Sequence, residues 1–540
     1  MNKREKSLIE VPELKFFWQY PEYWAEKEPN LAAISFKNKV ITAKEFNDQT
    51  DQLGKAFIHL GVKKGDTIVS ILPTNPEFIL TYIAASKIGA ITIPMDIKYK
   101  KADFEKLIPQ SSPKVIVAVN KFEKNRVGDV LEELKPKFGD IKYVMVKKAK
   151  FGIPFEELLD KKYELDVKLK EAKENQDEDD PILVIWTGGT TGVPKAALLS
   201  HKNVISSIIA EFKKFVEFSG VDKKFKMVMN FPISHVGGTV EILGSSIVGG
   251  LEMIVRESWS PYETLKYTKE EKIPILGGVP TMFNIFLSMS DLDTYELKKH
   301  VKFVFLSGEK VGLDFLEDIK DNICENIVIG YGSTEAGSEV TMTELEDDYA
   351  KIADGYVGKP LEGMEVIIAD ENGITLPSKK TGEVLVRGPM TIKSYYKMPE
   401  EDKAGFTNGW CKTGDLGYLN DEGGLYITGR IKQIIRVGAY TVLPTEIEEV
   451  VLKDKRLLFA AAIPYPDKIL GEVVWLVAVP DLGKKITEEE VLRMCEEQLA
   501  KFKVPKKIII YPLNPNDPPV TRIGKIDRVR LKKELFPPEA

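Results

Sequence analysis

The segment from Asp66 to Met95 limits the possible folds more than any other part of the sequence. It opens with the apolar run DTIVSILP, continues with Asn75 and Pro76 at the expected N-cap and first position of a helix, and then runs EFILTYIAASKI. Gly89 is a typical helix stop, and the apolar run AITIPM follows it. A strand, a helix and a second strand in this order predict parallel strands with helices packed on the sheet.

Three later apolar runs also end in small or polar residues. ILVIW precedes Thr187, VKFVFLSG precedes Glu309, and NIVIGYG precedes Ser333. Ligands of open α/β sheets bind beyond the carboxyl ends of strands, so these three turns are candidates for one shared site. The predicted fold class is α/β, with a large N-terminal domain of parallel-rich sheets layered with helices.

The chain has 540 residues, too many for one ordinary hydrophobic core, so two or more domains are expected. After GLYITGR the pattern changes to a helix (EIEEVVLK), two strands (FAAAIP and VVWLVAVP), a helix (EEEVLRMCEEQLAKF) and a strand (KIIIY). We therefore predict a large domain over residues 1–430 and a small α+β C-terminal domain over residues 431–540.

Charge and composition exclude several functions. The net charge is −6, so no basic field indicates a nucleic-acid partner. Three scattered cysteines and four histidines form neither a disulfide framework nor a zinc spacing. The N-terminus has no apolar signal region, and no apolar run approaches the roughly 20 residues of a membrane span. We expect a cytoplasmic protein; a homodimer is compatible with the sequence.

The loop TGGTTGVPK, residues 187–195, has the composition of a phosphate site. Its glycines let backbone N–H groups approach a ligand, its threonines add hydroxyl donors, and its lysine adds a positive charge. It is not the loop of P-loop NTPases, because Val193 and Pro194 precede Lys195 and no Ser or Thr follows. A plain surface turn is the alternative. The candidate ligand-binding residues are Thr187, Gly188, Gly189, Thr190, Thr191, Gly192 and Lys195.

Five motifs in order resemble the adenylate-forming superfamily of acyl-CoA synthetases, peptide-synthetase adenylation domains and luciferases. They are TGGTTGVPK, GYGSTEAG, GWCKTGDLG, YITGRIKQIIRVGAYTVLPTEIE and TRIGKIDR, and with the early LGVKKGDTIVSILPTNPEF they cover nearly the whole chain. The match is nearest to fatty acyl-CoA ligases. The resemblance implies that a carboxylate and Mg-ATP give acyl-AMP and pyrophosphate, and that a thiol then displaces AMP. It also implies a mobile C-terminal domain that rotates between the two steps.

The resemblance also assigns roles around the nucleotide. The 187–195 loop would hold the β- and γ-phosphates, although Gly188 stands where the family usually has Ser. Residues 307–310 (SGEK) would line the adenine, Tyr331 would stack on it, and Asp415 would bind the ribose hydroxyls. The further assignments are Ser307, Gly308 and Glu309 beside the adenine, Gly332 in the turn, Thr334 at the α-phosphate, Glu335 and Thr190 at Mg²⁺, and Arg430 at ribose and phosphate.

Three residues near and beyond the predicted domain boundary would serve the two steps. Lys525 is the expected adenylation catalyst, because a lysine between the carboxylate and the phosphate stabilises charge that collects in the transition state. Lys432 falls at the hinge position. Gly438 matches the segment that the family brings in for thioester formation, where a pantetheine arm passes close to backbone.

The segment NFPISHVGGTVEILGSSIVGG bears on the substrate. It offers His235 and no Asp, which makes an amino acid substrate unfavourable because its ammonium would be buried unpaired. The resemblance places His235 at the junction of acyl group and thiol; a structural histidine is the alternative. Five glycines predict room for a medium- or long-chain fatty acid, while an aromatic or short hydroxy acid stays open. They are Gly237, Gly238, Gly244, Gly249 and Gly250.

The thiol is expected to be free coenzyme A, because the chain ends shortly after TRIGKIDR and leaves no room for a carrier domain. An external acyl carrier protein is the second hypothesis. A nucleotide-binding sensor that lost the chemistry is the third, and the presence of Lys195, Glu335, Asp415, Arg430 and Lys525 argues against it.

Overall fold

The computed structural model describes residues 11–147, 151–187, 194–221, 223–438, 440–514, 517–521 and 525–535. In this part of the chain the strands form five sheets. The α-helices are Gln19–Lys27, Ala43–His59, Pro76–Lys87, Lys101–Ser111, Val127–Leu134, Phe155–Asp160, Asp166–Glu174, His201–Ser219, Leu243–Gly249, Pro261–Glu270, Pro280–Ser288, Leu313–Asn322, Tyr349–Ala353, Pro399–Gly405, Pro444–Val451, Glu488–Gln498 and Arg528–Leu535. No helix in the described ranges is long and apolar enough to cross a membrane.

Three sheets contain most of the parallel pairing. A seven-stranded sheet has the order Ile153–Pro154, Lys142–Val146, Pro113–Val119, Thr67–Ile71, Ile91–Pro94, Pro181–Thr187 and Lys195–Ser200, with only the last pair antiparallel. A four-stranded sheet has the order Lys226–Val228, Glu252–Val255, Ala32–Phe36 and Lys39–Thr42. A five-stranded sheet has the order Ile275–Gly278, Phe303–Ser307, Ile327–Gly332, Glu339–Met342 and Lys359–Pro360.

The strand–helix–strand unit is confirmed. Strands Thr67–Ile71 and Ile91–Pro94 pair in parallel, and helix Pro76–Lys87 connects them. Asn75 is the N-cap, and its side chain accepts a hydrogen bond of 3.0 Å from the backbone N–H of Phe78. All but one of the residues of this helix are buried, which agrees with its nearly uniform apolar sequence.

The remaining strands before residue 431 differ from the predicted parallel pattern. Glu365–Ala369, Gly382–Arg387, Phe406–Thr407, Trp410–Leu419 and Leu425–Arg430 form an antiparallel five-stranded sheet. Strand Lys195–Ser200 was also not predicted; it returns antiparallel to Pro181–Thr187 before helix His201–Ser219 begins. Short connections of this kind produce hairpins, since parallel strands need a longer crossover.

The last sheet has a core of its own. Its strands are Tyr440–Val442, Ile435–Val437, Gly471–Pro480, Leu457–Asp467 and Lys507–Ile510, and one hydrophobic cluster of its buried side chains extends from Ile435 to Ile508. A separate core agrees with the predicted small C-terminal domain. The exact domain bounds, 1–430 and 431–540, stay a prediction.

His201, at the start of helix His201–Ser219, is fully buried. Its Nδ1 accepts a hydrogen bond of 3.0 Å from the backbone N–H of Phe17, and its Nε2 lies 2.9 Å from Oε1 of Gln176. Burial, and then the charge of Lys64, lowers the pKa of His201 to about 3. The imidazole is therefore neutral in the folded protein, and the unfolded chain takes up its proton first as the pH falls.

We expect the free energy of unfolding to fall with acid partly through His201. As the pH falls from 7 to 5, the imidazole takes up a proton in the unfolded chain but not in the folded protein. The free energy of unfolding therefore falls by about 2 kcal/mol over this interval because of His201. His201→Gln should be less stable at pH 7 but should lose less stability on acidification. Denaturant unfolding at both pH values measures this difference. The control is His300→Gln, which replaces a half-exposed histidine. If His201→Gln lost as much stability between pH 7 and pH 5 as the unsubstituted protein, the assignment would be contradicted.

Candidate active site

The three turns singled out in the sequence line one cavity. Its volume is about 570 Å³, and its wall includes Thr187, Ser307 and Gly332, the last residues of three strands in two different sheets. The predicted convergence is therefore confirmed. A cavity beyond the carboxyl ends of parallel strands is the usual ligand site of α/β folds.

The cavity has a polar part and an apolar part. Lys195, Thr334, Glu335, Arg430 and Lys525 belong to the polar part. The apolar part is lined by Phe225, Met227, Phe231, Ile273, Leu276 and Val279. One cavity can thus accept a charged group at one end and a hydrocarbon group at the other.

Four of the five glycines predicted to make room for the acyl group, Gly238, Gly244, Gly249 and Gly250, do not line this cavity. A Cβ on Gly244 would lie 2.4 Å from Ile208, one on Gly249 2.4 Å from Phe212, and one on Gly250 2.5 Å from the Trp24 ring. These three residues therefore permit close packing of helices and a turn, and the expectation that they make room for the acyl group is wrong. Gly237 does line the cavity.

Lys525 reaches the cavity from the C-terminal segment. It lies over Gly308, where a Cβ would be 3.1 Å from its Cε, so the glycine leaves room for the lysine. Gly308 also has a φ of +99°, which favours glycine. Burial, and then the charge of Arg430, lowers the pKa of Lys525, while Glu309, Asp415 and Glu339 oppose this. A positive group is thus placed where a carboxylate and a phosphate can meet.

Glu309 lies at the contact with the same C-terminal segment. The backbone N–H of Ile526 is near enough to the Glu309 carboxyl group to lower its pKa slightly. Burial raises the pKa of Glu309, and the charges of Lys525 and Arg528 partly offset this. Glu309 is not part of the cavity wall, unlike Ser307 and Gly308. Its predicted place beside an adenine therefore stays a prediction, and its observed contact is with the C-terminal segment.

Asp415 is held by Arg430 and Tyr331. Strands Trp410–Leu419 and Leu425–Arg430 bring Asp415 opposite Arg430, and the Arg430 Nε lies 2.7 Å from one carboxylate oxygen. The Tyr331 hydroxyl donates to the other oxygen over 2.8 Å. The negative charge of Asp415 raises the pKa of Arg430. The pKa of Tyr331 is also raised, mainly by burial and then by the charge of Asp415. Asp415 is thus in direct contact with two other predicted nucleotide-binding residues, Arg430 and Tyr331.

Glu335 and Thr334 lie side by side on the polar wall. The Tyr395 hydroxyl donates to Glu335 Oε1 over 3.1 Å. Carboxylate and hydroxyl oxygens are ligands that Mg²⁺ accepts. In the part of the chain that the structure describes, no group of three or more His, Cys, Asp or Glu could hold a metal ion. One carboxylate that leaves the other positions to phosphate and water oxygens fits Mg²⁺ bound together with a nucleotide.

Lys195, the last residue of the predicted phosphate loop, forms an ion pair. Its ammonium lies 2.6 Å from a carboxylate oxygen of Glu401 and 5.0 Å from the centre of the Tyr395 ring. The other predicted loop residues, Gly188, Gly189, Thr190, Thr191 and Gly192, lie outside the described residues. Neither Tyr395 nor Glu401 was recognised, because each lies about 200 residues from the loop and belongs to no recognisable motif.

His235 lies on the cavity wall and is half-buried. Its Nδ1 accepts a hydrogen bond of 3.1 Å from the backbone N–H of Gly237, at the start of the π-helical turn Gly237–Ile242. Burial, and then the charge of Lys525, lowers the pKa of His235 to about 4. The imidazole is therefore neutral near pH 7. Its position near Lys525 agrees with the predicted place of His235 beside the reacting groups.

Lys432 and Gly438 lie at the start of the last sheet. Lys432 belongs to the short 3₁₀ turn Ile431–Gln433, which connects strand Leu425–Arg430 with strand Ile435–Val437 and contributes to the cavity wall. Gly438 follows the latter strand, is exposed and has a φ of +60°. Gly438 is not part of the cavity wall in this arrangement, whereas Lys525 is.

Sequence reasoning missed three buried carboxyl groups next to the cavity, those of Glu211, Glu241 and Glu339. The Glu339 backbone N–H donates to Glu211 over 3.0 Å, and both Glu241 and Glu339 line the cavity. A signal was present, because each glutamate stands in an otherwise apolar or small-residue context: SIIAEF, GTVEIL and AGSEVT. A charged residue at a core position indicates a function or a partner.

The fold and site agree with comparisons to known proteins. The model of the AMP-binding enzyme family matches residues 21–396, and the model of the AMP-binding enzyme C-terminal domain matches residues 446–525. The chain belongs to the AMP-binding enzyme family. Recognition of an adenylate-forming enzyme from its motifs is thereby confirmed.

Relatives of similar length carry ligase names. The chain is 29% identical to a long-chain-fatty-acid–CoA ligase of Bacillus subtilis (94% of this chain, 93% of the relative) and 26% identical to the putative acyl-CoA synthetase YngI of that organism (95% and 96%). It is 28% identical to 4-coumarate–CoA ligase 2 of Nicotiana tabacum (88% and 86%). The enzyme is an AMP-forming acyl-CoA synthetase, and its ATP-dependent ligase activity is that of the family.

Solved structures share the fold. One is the o-succinylbenzoate CoA synthetase MenE of Bacillus subtilis, in complex with its acyl-adenylate intermediate. It has a TM-score of 0.79 at 23% identity, and the match covers 95% of this chain and 97% of that one. The anthranilate CoA ligase AuaEII, in complex with anthranoyl-AMP, has a TM-score of 0.83 at 19% identity, with 97% of this chain and 98% of that one covered. The predicted α/β class with a smaller C-terminal domain is confirmed.

Proposed function

We propose that this ligase activates an aliphatic carboxylic acid, a medium- or long-chain fatty acid, and transfers it to free coenzyme A. The observation that carries the proposal is the position of Lys525 in the wall of a cavity with one polar and one apolar part. A carboxylate in the polar part would lie beside Lys525, and its hydrocarbon chain would lie against residues such as Met227 and Ile273.

In the first step, a carboxylate oxygen of the acid attacks the α-phosphorus of ATP, and the bond to the β-phosphate oxygen breaks. Pyrophosphate leaves and acyl-AMP stays bound. Lys525 would stabilise the negative charge shared by the carboxylate and the phosphate, with Arg430 and Thr334 as further donors. Mg²⁺, which Glu335 and Thr190 are proposed to hold, would neutralise phosphate charge.

In the second step, the thiol sulfur attacks the carbonyl carbon, the carbon–oxygen bond to AMP breaks, and the thiol proton leaves. The C-terminal domain is proposed to rotate at Lys432, which withdraws Lys525 and brings Gly438 towards the cavity. The neutral imidazole of His235 would stay at the junction of acyl group and thiol.

The alternatives concern the acid and the thiol. The apolar wall supports an aliphatic acid, and the named ligases of long-chain fatty acids and of 4-coumarate support aliphatic and aromatic acids alike. An aryl acid, a short hydroxy acid and an external acyl carrier protein are therefore the competing hypotheses.

The test is AMP release from ATP, with and without coenzyme A, across acetate, hexanoate, decanoate, palmitate, benzoate, 4-coumarate and 4-hydroxybutyrate. A coenzyme A-dependent optimum at hexanoate, decanoate or palmitate supports the proposal. An optimum with an aromatic acid overturns the substrate class. ATP binding without turnover of any acid overturns the activity in favour of a sensor, and turnover only with an added carrier protein overturns the choice of thiol.

Glu401→Gln is expected to lower the KM for ATP. Glu401 pairs with Lys195 at 2.6 Å, so phosphate must displace this carboxylate before it can contact the lysine. A partly exposed ion pair is worth up to about 1 kcal/mol, so the KM should fall about two- to fivefold at low salt and less at high salt. Steady-state kinetics at two ionic strengths measure the change.

Glu400→Gln is the matched control for this variant. Glu400 neighbours Glu401 but is strongly exposed and pairs with Lys403, so it should leave the KM for ATP unchanged. A raised KM in Glu401→Gln would contradict the competition and would show that Glu401 assists binding of the nucleotide.

A further inference from the structure

Tyr395 contacts two residues of opposite charge in the nucleotide part of the cavity, and the function proposed above gives it no role. Its hydroxyl donates to Oε1 of Glu335 over 3.1 Å, and the ammonium of Lys195 lies 5.0 Å from the centre of its ring. All three side chains line the cavity. Lys195 is the residue proposed at the β- and γ-phosphates, and Glu335 is the residue proposed at Mg²⁺. One tyrosine therefore contacts both groups that would receive Mg-ATP.

The carboxylate of Glu335 is oriented by this hydroxyl. In the described part of the chain, the Tyr395 hydroxyl is the only hydrogen-bond donor to the carboxylate, and no basic side chain forms an ion pair with it. A tyrosine hydroxyl is uncharged near neutral pH, so it orients the carboxylate without cancelling its charge. A lysine or arginine in this place would compete with the metal ion. The contact thus keeps the negative charge of Glu335 available to Mg²⁺.

The ring of Tyr395 holds Lys195 in a similar way. The face of an aromatic ring attracts an ammonium group within about 6 Å of its centre and carries no net charge. Lys195 and Glu335 have opposite charges and line one cavity, yet no ion pair joins them; Lys195 pairs with Glu401. Because the two residues contact different atoms of one tyrosine, they are kept apart, and neither neutralises the other.

Backbone contacts fix the position of Tyr395 itself. Tyr395 forms an antiparallel bridge with Ala197 of strand Lys195–Ser200. Three residues earlier, the backbone N–H of Ile392 donates to the carbonyl oxygen of Glu335 over 3.0 Å. The Tyr395 side chain is 5% exposed. The segment that carries the tyrosine is thus bound to the backbone of both residues that its side chain contacts.

We propose that Tyr395 is a positioning residue of the adenylation step, which orients Glu335 for Mg²⁺ through its hydroxyl and Lys195 for the phosphates through its ring. The inference rests on the proposed ligase function and adds a residue to its nucleotide site. The two contacts use different parts of one side chain. A substitution that removes the hydroxyl alone should therefore weaken the binding of Mg-ATP and spare the binding of ATP without metal.

Tyr395→Phe makes this change, because it keeps the ring and removes the hydroxyl. Calorimetry gives the dissociation constant of ATP with excess Mg²⁺ and, separately, with EDTA. No acid is added, so the proposed reaction cannot consume the ATP. We expect Tyr395→Phe to weaken the binding of Mg-ATP about tenfold, because loss of a group that orients a metal ligand commonly lowers metal affinity by about 10- to 100-fold. The dissociation constant in EDTA should stay nearly unchanged.

Tyr396→Phe is the matched control. Its ring also has a lysine ammonium 5.0 Å from the centre, in this case that of Lys397. Its hydroxyl has no hydrogen-bond partner among the described residues. Loss of this hydroxyl should change neither dissociation constant.

A second background tests whether the hydroxyl acts through Glu335. Glu335→Gln removes the charge that the hydroxyl is proposed to orient, and should itself weaken the binding of Mg-ATP. Two residues that act through one contact give non-additive effects. Adding Tyr395→Phe to Glu335→Gln should therefore cause little further loss, whereas a general packing defect would lower the affinity by the same factor in both backgrounds.

Each outcome decides the inference. A loss confined to Mg-ATP in Tyr395→Phe, and nearly absent in the Glu335→Gln background, supports it. Unchanged binding of Mg-ATP, or equal losses with Mg²⁺ and with EDTA, overturns the role of the hydroxyl and leaves the ligase function standing. An undiminished loss in the Glu335→Gln background overturns the action through Glu335. If the unsubstituted protein binds no ATP in either condition, the proposed function fails, and this inference fails with it.

Discussion

Lys525→Ala is expected to lower the rate of acyl-AMP formation by about 100- to 1,000-fold, because it removes the ammonium group that lies between the predicted carboxylate and phosphate positions. The same variant should still convert supplied acyl-AMP and coenzyme A to thioester. In the second step the lysine is proposed to be outside the cavity, so its absence then changes nothing at the reacting atoms.

The two half-reactions are measured separately. Pyrophosphate release from ATP and acid, without coenzyme A, reports adenylation, and AMP release from synthetic acyl-AMP with coenzyme A reports thioester formation. Lys532→Ala is the control, since Lys532 is an exposed lysine of the same C-terminal helix, Arg528–Leu535. A comparable loss in both half-reactions, in a folded Lys525→Ala protein, would contradict the role given to Lys525.

The burial of Lys525 also shows how the cavity controls its charge. Burial and Arg430 lower the pKa of the ammonium, whereas three nearby carboxyl groups raise it. One of these groups is Glu309, which lies near Lys525 and the backbone of Ile526 in the same segment. The acidic groups therefore both position the lysine and keep its positive form favourable in a desolvated place.

Several features of the fold follow from local sequence. The parallel unit around helix Pro76–Lys87 could be predicted because an N-cap, a helical run and a stop residue occur in order, each with a local physical cause. The convergence of Thr187, Ser307 and Gly332 followed from the general position of ligands at strand ends. The antiparallel sheet of residues 365–430 was not predicted, because a short apolar run does not reveal the direction of its partner strand.

The missed site residues were missed because their contacts are long-range. Lys195 meets Glu401, and Glu335 meets Tyr395, across gaps that no local pattern spans. The three glutamates beside the cavity, Glu211, Glu241 and Glu339, come from helix His201–Ser219, the π-helical turn Gly237–Ile242 and strand Glu339–Met342. Only the apolar surroundings of each glutamate in the sequence indicated burial, and they could not indicate that the three meet.

Two ion pairs join the C-terminal sheet region to the rest of the described chain. Between the C-terminal sheet region and the rest of the chain, Lys310 pairs with Glu449 at 2.7 Å and Lys455 with Asp318 at 3.1 Å. Both pairs are partly exposed, and such pairs contribute about 0–1 kcal/mol each. These two ion pairs would therefore oppose the proposed rotation only weakly.

Gly438→Leu is expected to spare adenylation and to slow thioester formation on the order of 100-fold, since a small misplacement of a reacting group has an effect of that size. In the observed arrangement Gly438 is exposed, and a Cβ there would have only Leu470 within 4 Å, at an ordinary contact distance of 3.5 Å. The added side chain therefore meets no obstacle while Lys525 is in the cavity. It would meet one after rotation, where the pantetheine arm is proposed to pass.

Gly483→Leu separates this effect from backbone strain. Gly438 and Gly483 are both exposed and have φ values of +60° and +77°, a region in which a leucine costs about 1–2 kcal/mol. A Cβ on Gly483 has nothing within 4 Å. If strain alone were responsible, both variants would lose stability and both half-reactions equally. Selective loss of thioester formation in Gly438→Leu places this turn on the path of the thiol, whereas unimpaired thioester formation excludes it from that path and leaves Lys525 as the only residue of the C-terminal segment with an assigned chemical role.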